Sequence, residues 1–114
     1  MDLNKVMLIG RLTQDPKTRD IPKGGRVALF SVATNRQWTD AAGQKQKQTE
    51  YHQVVAWGKL SEIVSQYLQK GKQVYVEGRL QTSDWTAKDG AKRQKTEVVA
   101  ESIILLGGKD EGAA

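Results

Sequence analysis

A chain of 114 residues is long enough to build one domain with a core and too short for two. It contains no cysteine, which excludes disulfides, thiolate nucleophiles and zinc sites built on thiolates. No apolar run approaches the roughly 20 residues of a membrane-spanning helix. The apolar start follows Asp2 and is interrupted by Arg11, which is unusual for a signal peptide, so we expect a cytoplasmic protein.

Basic residues outnumber acidic ones by 18 to 13, which gives a net charge of +5 and an isoelectric point near 9.6. An excess of this size favours binding to polyanions, but it also occurs in proteins whose lysines and arginines are simply solvated. Charge alone therefore leaves nucleic-acid binding open.

Five segments have the aliphatic, β-branched and aromatic residues typical of strands, namely 4–12, 26–36, 49–57, 73–81 and 96–106. The segment after the first strand contains Pro16 and Pro22 and predicts a loop, because proline cannot donate to a sheet ladder. Residues 37–48 are polar and predict a flexible excursion. Residues 82–95 predict a hairpin arm with a Lys-Asp-Gly tip.

The spacing of apolar residues changes from that of a strand to that of a helix between the third and fourth strands. Apolar residues recur there at i, i+3, i+4, i+7 and i+8, as on one side of an α-helix: Leu60, Ile63, Val64, Tyr67 and Leu68. The opposite side is polar and consists of Ser61, Glu62, Ser65, Gln66 and Gln69. This pattern predicts one short helix.

In the third strand, successive side chains point to opposite faces. One face carries Tyr51, Gln53, Val55 and Trp57, and the other carries His52, Val54 and Ala56. The second set is smaller and more uniformly apolar, so it could line a core. The two large rings would then lie on the less buried face.

The element order is β-β-β-α-β-β, with the helix between strands three and four. Five antiparallel strands with a helix in that place match the OB-fold, an all-β, five-stranded Greek-key barrel. Another five-stranded α+β domain is the alternative, and topological rules favour the barrel. We assign residues 1–106 to this domain and residues 107–114 to the start of a flexible C-terminal tail.

The sequence offers little for catalysis. His52 is the only histidine, and it shares a strand face with Val54 and Ala56, so it is better explained as a packed or interface residue than as a catalyst. The carboxylates are scattered among basic residues without metal-binding spacing, and the glycine turn at 21–26 lacks the P-loop spacing. We therefore predict no enzyme activity, no metal site and no cofactor.

The aromatic residues divide by context. Phe30, Tyr67 and Tyr75 lie in apolar strand or helix patterns and are predicted to be core or interface groups. Four others lie in polar segments or on the less buried face, namely Trp38, Tyr51, Trp57 and Trp85. Exposed rings are unfavourable unless something covers them. Trp38 and Trp85 could instead fold back onto the protein as loop anchors. Single-stranded nucleic acid would give all four one role, since each stacked base contributes roughly 1–3 kcal/mol with little sequence preference.

Lysines and arginines lie between these rings, where they could hold a phosphate backbone and make binding salt-sensitive. They are Arg36, Lys45, Lys47, Lys59, Lys70, Lys88, Lys92, Arg93 and Lys95. Any one of them could be only a solvated surface charge. Their interleaving with exposed rings is what favours a nucleic-acid role.

Over residues 4–105 the chain closely resembles the bacterial single-stranded DNA-binding proteins, in register, through NKVMLIGRLTQDP, GGRVALFSVATN, QTEYHQVVAWGKLSEIVSQYLQKGKQVYVEGRL and KTEVVAE. The resemblance implies an OB-fold homotetramer. Such proteins coat single-stranded DNA cooperatively and without sequence specificity during replication, recombination and repair, in the cytoplasm at the nucleoid.

The resemblance also implies roles for single residues. The family's stacking aromatics fall on Trp38, Tyr51, Trp57 and Trp85, with Tyr51 where the family often has tryptophan and Trp57 where it often has phenylalanine. Its phosphate contacts fall on Lys5, Arg19, Lys59 and Lys70. His52 falls on a histidine that the family uses at a subunit interface.

Two departures from the family pattern affect these expectations. Before Trp85 the family often has a basic cluster, whereas this chain has Gln81, Ser83 and Asp84. The phosphate clamp there is expected to be weaker or to shift to Lys88, Lys92, Arg93 and Lys95. Family members also usually continue through a long tail to an acidic tip that recruits partner enzymes. This chain ends in GGKDEGAA, so tail-mediated partner binding is not expected of it.

Three rival interpretations stay open. One is a related dimeric OB protein of the primosome, which also binds single strands. Another is a protein-interaction or structural barrel whose rings are buried at an interface. The third is an RNA-binding barrel, because stacking alone does not read the 2′-hydroxyl.

Overall fold

The computed structural model describes residues 1–107, so the predicted tail lies, apart from Gly107, outside the described residues. The strands are β1 (Val6–Leu12), β2 (Lys17–Asp20), β3 (Arg26–Thr39), β4 (Lys45–Trp57), β5 (Gln73–Thr86) and β6 (Lys92–Leu105). The helix α1 (Lys59–Tyr67) lies between β4 and β5. No helix in residues 1–107 is long and apolar enough to cross a membrane.

Five of the strands close into a barrel, which confirms the predicted OB-fold. β1 pairs with both β3 and β5, and the sheet continues from β5 through β6 and β4 back to β3. The pairing of β4 with β6 is parallel, which the sequence analysis did not expect, and it joins only Val54 to Val98 and Val55 to Val99. It is parallel because α1 and β5 carry the chain across the barrel before β6 returns beside β4.

The core follows the alternation of the strands. Its buried members are Leu12, Ala28, Phe30, Val32, Val54, Ala56, Val64, Leu68, Val74, Val76, Val98 and Ala100. Even-numbered positions of β3, β4 and β5 therefore face inward, as predicted for Val54 and Ala56, and Phe30 has its predicted core position. The odd-numbered positions point the other way. We call those of β3, of β4 and of residues 81–86 of β5 the outward face; Val27 and Val55 on it are also buried.

Two glycines allow the strands to cross closely enough to close the barrel. A Cβ atom at Gly10 would collide with the carbonyl oxygen of Ala33, and one at Gly78 with that of Val99. Gly78 also lies at a β-bulge between β5 and β6, where the ladder shifts register. Glycine is required at such places because backbone from a neighbouring strand occupies the side-chain position.

The helix packs on the barrel through a stripe that differs from the predicted one. Ser61, assigned to the polar side, is fully buried, and its Oγ donates to the carbonyl of Gly58 at 2.5 Å. Tyr67, assigned to the apolar side, is exposed. Ser61 lies three and seven residues before Val64 and Leu68, so it shares their side of the helix. Its small hydroxyl can be buried because the backbone satisfies it.

The segment predicted as a loop after the first strand contains the short strand β2. Lys17 lies opposite Leu29 and Asp20 lies opposite Arg26 in an antiparallel ladder with β3. The prediction was wrong because the four residues of β2 fit between Pro16 and Pro22, so neither proline interrupts the ladder. β2 is an edge strand, and all four of its residues are exposed.

Residues 37–48 are not a flexible excursion but the distal end of the long β3–β4 hairpin, which we call the β3–β4 arm. Only residues 40–44 form its turn, and the pairing of the two strands begins with Thr39 opposite Lys45. The carboxylate of Asp40 accepts hydrogen bonds from the backbone of Gln44 and the side chain of Gln46, both at 2.9 Å. These bonds lower the pKa of Asp40. The arm is polar on both faces because it projects beyond the core.

The second hairpin, the β5–β6 arm, has the predicted form. Its strands pair as far as Thr86 and Lys92, and the turn between them contains Gly90 at a φ of 85°. This left-handed conformation favours glycine, as the Lys-Asp-Gly tip indicated. The two arms leave the barrel on either side of the short parallel pairing between β4 and β6.

Candidate nucleic-acid interface

Strand β4 presents two of the four predicted stacking rings on the outward face. Tyr51 lies opposite Ala33 of β3, and Trp57 lies opposite Val27. Their side chains are 65% and 51% exposed, far more than large rings usually are without a partner. Six residues of extended strand separate them by about 20 Å, so each ring can contact a different base.

Trp85 lies on the outward face of the β5–β6 arm, where it is 45% exposed. Arg93 lies directly opposite it, and Lys95 lies opposite Ser83 on the same side of the ladder. Lys92 is on the other side, because it pairs with an even-numbered residue of β5. A cavity of about 640 Å³ opens at this ring and is lined by both Trp85 and Arg93. On this side of the arm the cations are therefore on β6, opposite Trp85 and Ser83, and not in β5 just before the ring.

Trp38 is separated from the other three rings. It occupies an even-numbered position of β3, on the side of the arm that continues the core face. The guanidinium carbon of Arg36 lies 4.8 Å from the centroid of this ring, a cation–π contact. A single strand that contacts all four rings must therefore pass around the edge of the β3–β4 arm.

The other predicted phosphate contacts are spread over the same surfaces. Lys45 and Lys47 lie on the side of the β3–β4 arm that carries Tyr51, and Arg36 lies on the side that carries Trp38. Three more are exposed at the start of α1 or in turns: Lys59, Lys70 and Lys88. Of the predicted cations, Arg36 lies against the ring of Trp38, and Arg93 lies opposite Trp85.

Among residues 1–107, three of the predicted cations lie within 4 Å of carboxylates. Arg93 lies 3.6 Å from Asp89, and Lys95 lies 3.4 Å from Glu97. Lys5 has the shortest of these contacts. Its Nζ donates to Glu77 Oε2 at 2.6 Å and lies 3.8 Å from Glu101. The hydroxyl of Tyr75 donates to the other oxygen of Glu77 at 2.7 Å. These hydrogen bonds, first from Lys5 and then from Tyr75, lower the pKa of Glu77, and the same ion pair raises the pKa of Lys5. Glu77 therefore already neutralises much of the charge that a phosphate would find at this lysine.

His52 is half-buried on the inward side of β4. Its Nε2 lies 2.8 Å from the hydroxyl oxygen of Thr34. Within residues 1–107, no group of three histidine, cysteine or carboxylate side chains could hold a metal ion. The predicted role of His52 at a subunit interface stays a prediction.

Strand β2 adds cations that the sequence analysis largely missed. Arg19 lies opposite Val27, which in turn lies opposite Trp57, so these three form one row across the outward face. Lys17 lies opposite Leu29 in the neighbouring row. Arg19 was expected only from the resemblance, and Lys17 was not expected at all. The available signal was the alternation of cations in Lys-Thr-Arg, which is typical of a strand with one charged face.

A second part of the barrel surface is apolar, on β1, β5 and β6. Ile9 lies opposite Tyr75, and Tyr75 lies opposite Ile104. Met7 is on the same side of β1, and the three aliphatic side chains are each more than half exposed. We call this surface, formed by Met7, Ile9, Tyr75 and Ile104, the β1 face.

The sequence matches known proteins over nearly its whole length. The Single-strand binding protein family matches residues 3–106. Single-stranded DNA-binding protein 1 of Chlorobaculum tepidum is 51% identical over 111 residues, which cover 96% of this chain and 68% of that protein. The single-stranded DNA-binding protein of Neisseria meningitidis is 47% identical over 113 residues, covering 99% of this chain and 65% of that protein.

Solved structures are similar as well. The Plasmodium falciparum SSB in complex with ssDNA has a TM-score of 0.86 and 35% identity, covering 93% of this chain and 96% of that one. A deletion mutant of the single-stranded DNA binding protein from Thermus aquaticus has a TM-score of 0.82 and 38% identity, covering 94% of this chain and 52% of that one.

The chain spans about two thirds of the length of the curated relatives that it matches. The residues that match the family, 3–106, include all six strands, the helix and both arms. The resemblance noted from the sequence is confirmed. This chain belongs to the Single-strand binding protein family.

Proposed function

We propose that this chain binds single-stranded DNA without sequence preference and coats it where replication, recombination and repair expose it. The observation that carries the proposal is the outward face, where Tyr51, Trp57 and Trp85 are exposed among cations of β2, β6 and the β3–β4 arm. Water alone is a poor partner for three large rings on one surface. Unstacked bases cover them favourably, and the family to which the chain belongs supports that ligand.

Stacking on the rings supplies the attraction to bases. Each base stacked on an aromatic side chain contributes roughly 1–3 kcal/mol, and every base offers a π-face. Binding through such contacts is tolerant of sequence, because no hydrogen-bond pattern of a base edge is read. Trp38 would join as a fourth platform on the opposite side of the β3–β4 arm.

The cations supply the attraction to the backbone. Lys45, Lys47, Arg93 and Arg19 lie on the same side of the sheet as the outward rings, so they can contact phosphates between stacked bases. Each contact releases condensed counterions, which makes affinity fall as salt rises. The proposed set is completed by Lys59, Lys70, Lys88, Lys92 and Arg36, and by Lys5, whose charge is partly neutralised by Glu77. On this proposal the chain works at the bacterial nucleoid by binding alone, without catalysing a reaction.

Titration with oligo(dT) at low salt tests the proposal. Stacked indoles should lose fluorescence as the oligonucleotide binds, and the affinity should fall steeply with added salt. A chain whose tryptophan emission ignores oligo(dT) at low salt would not be a single-strand coating protein. Competition with oligo(U) separates a DNA preference from general binding to single strands.

We further propose that the chain assembles as a homotetramer, as the family resemblance implies. The β1 face supports an interface between copies, because its three aliphatic side chains are exposed and Tyr75 is only partly buried in the isolated chain. Burying them against a second copy removes apolar surface from water. Light scattering measures the mass directly. A mass of four chains is expected, and a mass of two chains would favour the related dimeric primosomal protein.

A further inference from the structure

The edge strand β2 places a lysine on the face of the sheet from which Tyr51 and Trp57 of β4 project. Lys17, Leu29 and Val55 form one row across β2, β3 and β4, because each is directly opposite the next. Residues opposite each other in antiparallel strands point to the same face. Lys17 therefore extends from the outward face, two strands away from the strand that carries Tyr51.

Between β2 and β4 the surface forms a groove of about 400 Å³, which we call the β2 groove. Tyr51 and Gln53 of β4, Ser31 and Leu29 of β3, and Lys17 of β2 line it. One wall is thus an exposed ring, the opposite wall is a cation, and the floor carries both apolar and hydrogen-bonding groups. A nucleotide has the same division into a flat base and a charged phosphate.

The charges in the β2 groove leave Lys17 available. Within residues 1–107, Lys17 forms no ion pair, in contrast to Lys5 with Glu77. Asp15 also lines the groove, but its Oδ1 accepts the backbone N–H of Lys70 at 2.8 Å, which fixes the carboxylate to the segment after α1. Lys17 is therefore the cation of this groove that a phosphate can reach without first breaking an ion pair.

We infer that the β2 groove is a nucleotide subsite, in which a base stacks on Tyr51 and the Lys17 ammonium contacts a phosphate of the same nucleotide. This inference rests on the proposed binding of single-stranded DNA and extends it to a residue of an edge strand. It makes β2 a part of the DNA-binding surface.

Two variants test the role of Lys17. Lys17→Ala removes the cation, and the double variant Lys17→Thr/Thr18→Lys moves it to the other side of β2 without changing the net charge. Thr18 is exposed and lies opposite the buried Ala28, so its side chain points away from the groove. Circular dichroism and thermal melting establish that both variants fold like the parent chain.

Oligo(dT) affinity measured across a salt series is the readout. At low salt, each subunit of both variants should bind oligo(dT) about five-fold more weakly than a parent subunit, because each has lost one exposed ionic contact. The slope of log affinity against log salt should become shallower by about 0.7 per lost phosphate contact. If the charge-conserving variant binds with the parent's affinity and slope, general positive charge explains binding and the inference is overturned.

A double-mutant cycle tests whether one nucleotide uses both residues. Tyr51→Ala and Lys17→Ala should together weaken binding by less than the product of their separate effects, because loss of either contact frees the same nucleotide. Strictly multiplicative effects would contradict a shared subsite. Failure of the parent chain to bind oligo(dT) would remove the proposed function itself, whereas normal binding by the parent and both Lys17 variants would remove only this inference.

Discussion

The outward face of β4 and the β1 face both expose large apolar side chains, yet their charges are arranged in opposite ways. Tyr51 and Trp57 share the outward face with Arg19 of β2 and with Lys45 and Lys47 of the β3–β4 arm, and Lys17 of β2 has no ion pair among the described residues. Beside the β1 face, Lys5 is bound to Glu77. A surface whose cations are unpaired suits a polyanion, whereas one with neutralised cations and aliphatic side chains suits another protein surface. The charge pattern, more than the exposed apolar area, separates the two functions.

Disrupting the β1 face should have the largest effect. Ile9→Asp places a charge opposite Tyr75 in the middle of this surface, where an assembled interface would bury it unpaired. We expect the mass in sedimentation or light scattering to fall below that of the parent assembly. Thr82→Asp, on the exposed β5–β6 arm, is a matched control that should keep the parent mass. An unchanged mass for Ile9→Asp would show that the β1 face is not an interface.

Removing rings from β4 should affect DNA binding and leave the assembly intact. Trp57→Ala and Tyr51→Ala should each weaken oligo(dT) binding by roughly 1–3 kcal/mol per stacked base. Tyr67→Ala provides the control, because it removes a similarly exposed ring from α1 instead of β4. Fluorescence or anisotropy titration supplies the affinities. If all three variants bind like the parent, the rings of β4 have a structural role only.

A smaller effect should distinguish the two sides of the β5–β6 arm. Arg93→Ala removes the cation directly opposite Trp85, and Lys92→Ala removes a neighbouring cation on the other side. Arg93 lies 3.6 Å from Asp89 at an exposed site. We expect the first to reduce affinity by about 1 kcal/mol and the salt slope by about 0.7, with a weaker change for the second. Equal changes would indicate that the arm attracts DNA through its general charge and that the register of the ladder does not matter.

The smallest expected effect concerns the ion pair beside the β1 face. Hydrogen bonds hold the pKa of Glu77 below its usual value, so they stabilise the fold at neutral pH, and this contribution is lost as pH falls through the lowered pKa. Lys5 behaves oppositely, since its raised pKa adds stability that disappears only at strongly alkaline pH. Glu77→Gln should therefore lower the melting temperature at pH 7, with a difference that shrinks below about pH 4.

Melting curves of Glu77→Gln and the parent at one protein concentration, from pH 7 to pH 3, measure that difference. Asp2→Asn removes one acidic group from the exposed N-terminus and is the control for net charge. A gap between parent and Glu77→Gln that stays constant with pH would mean that ionisation of Glu77 does not contribute.

The sequence predicted the barrel because hydrophobic alternation is a local signal. Val54 and Ala56 alternate with Gln53 and Trp57, and the structure buries the first two; Val55, on the face with the rings, is buried as well. The same signal failed for the helix at Ser61, because burial of a hydroxyl depends on a backbone partner that residue type does not reveal. It also failed for the β3–β4 arm, whose polar residues pair outside any core.

The interface was predictable only in part. The ring types and the basic composition pointed to Trp57 and Tyr51, since large aromatic side chains are seldom left exposed to water without a partner. The separation of Trp38 from the other rings and the importance of Lys17 depend on ladder register. Register is set by pairing between distant segments, so residue composition alone does not fix it. The sequence did not predict β2, because Pro16 and Pro22 indicate a loop for the whole segment between them.

The most direct test of the central claim uses a chain in which Trp57 is the only tryptophan. Trp38→Phe and Trp85→Phe keep aromatic rings at the other two sites and leave the β4 indole as the sole tryptophan reporter. Titration with oligo(dT) at low salt should quench its emission, and added salt should restore the emission as DNA dissociates. Saturating binding, shown by anisotropy of a labelled oligonucleotide, with unchanged Trp57 emission would contradict base stacking on the outward face.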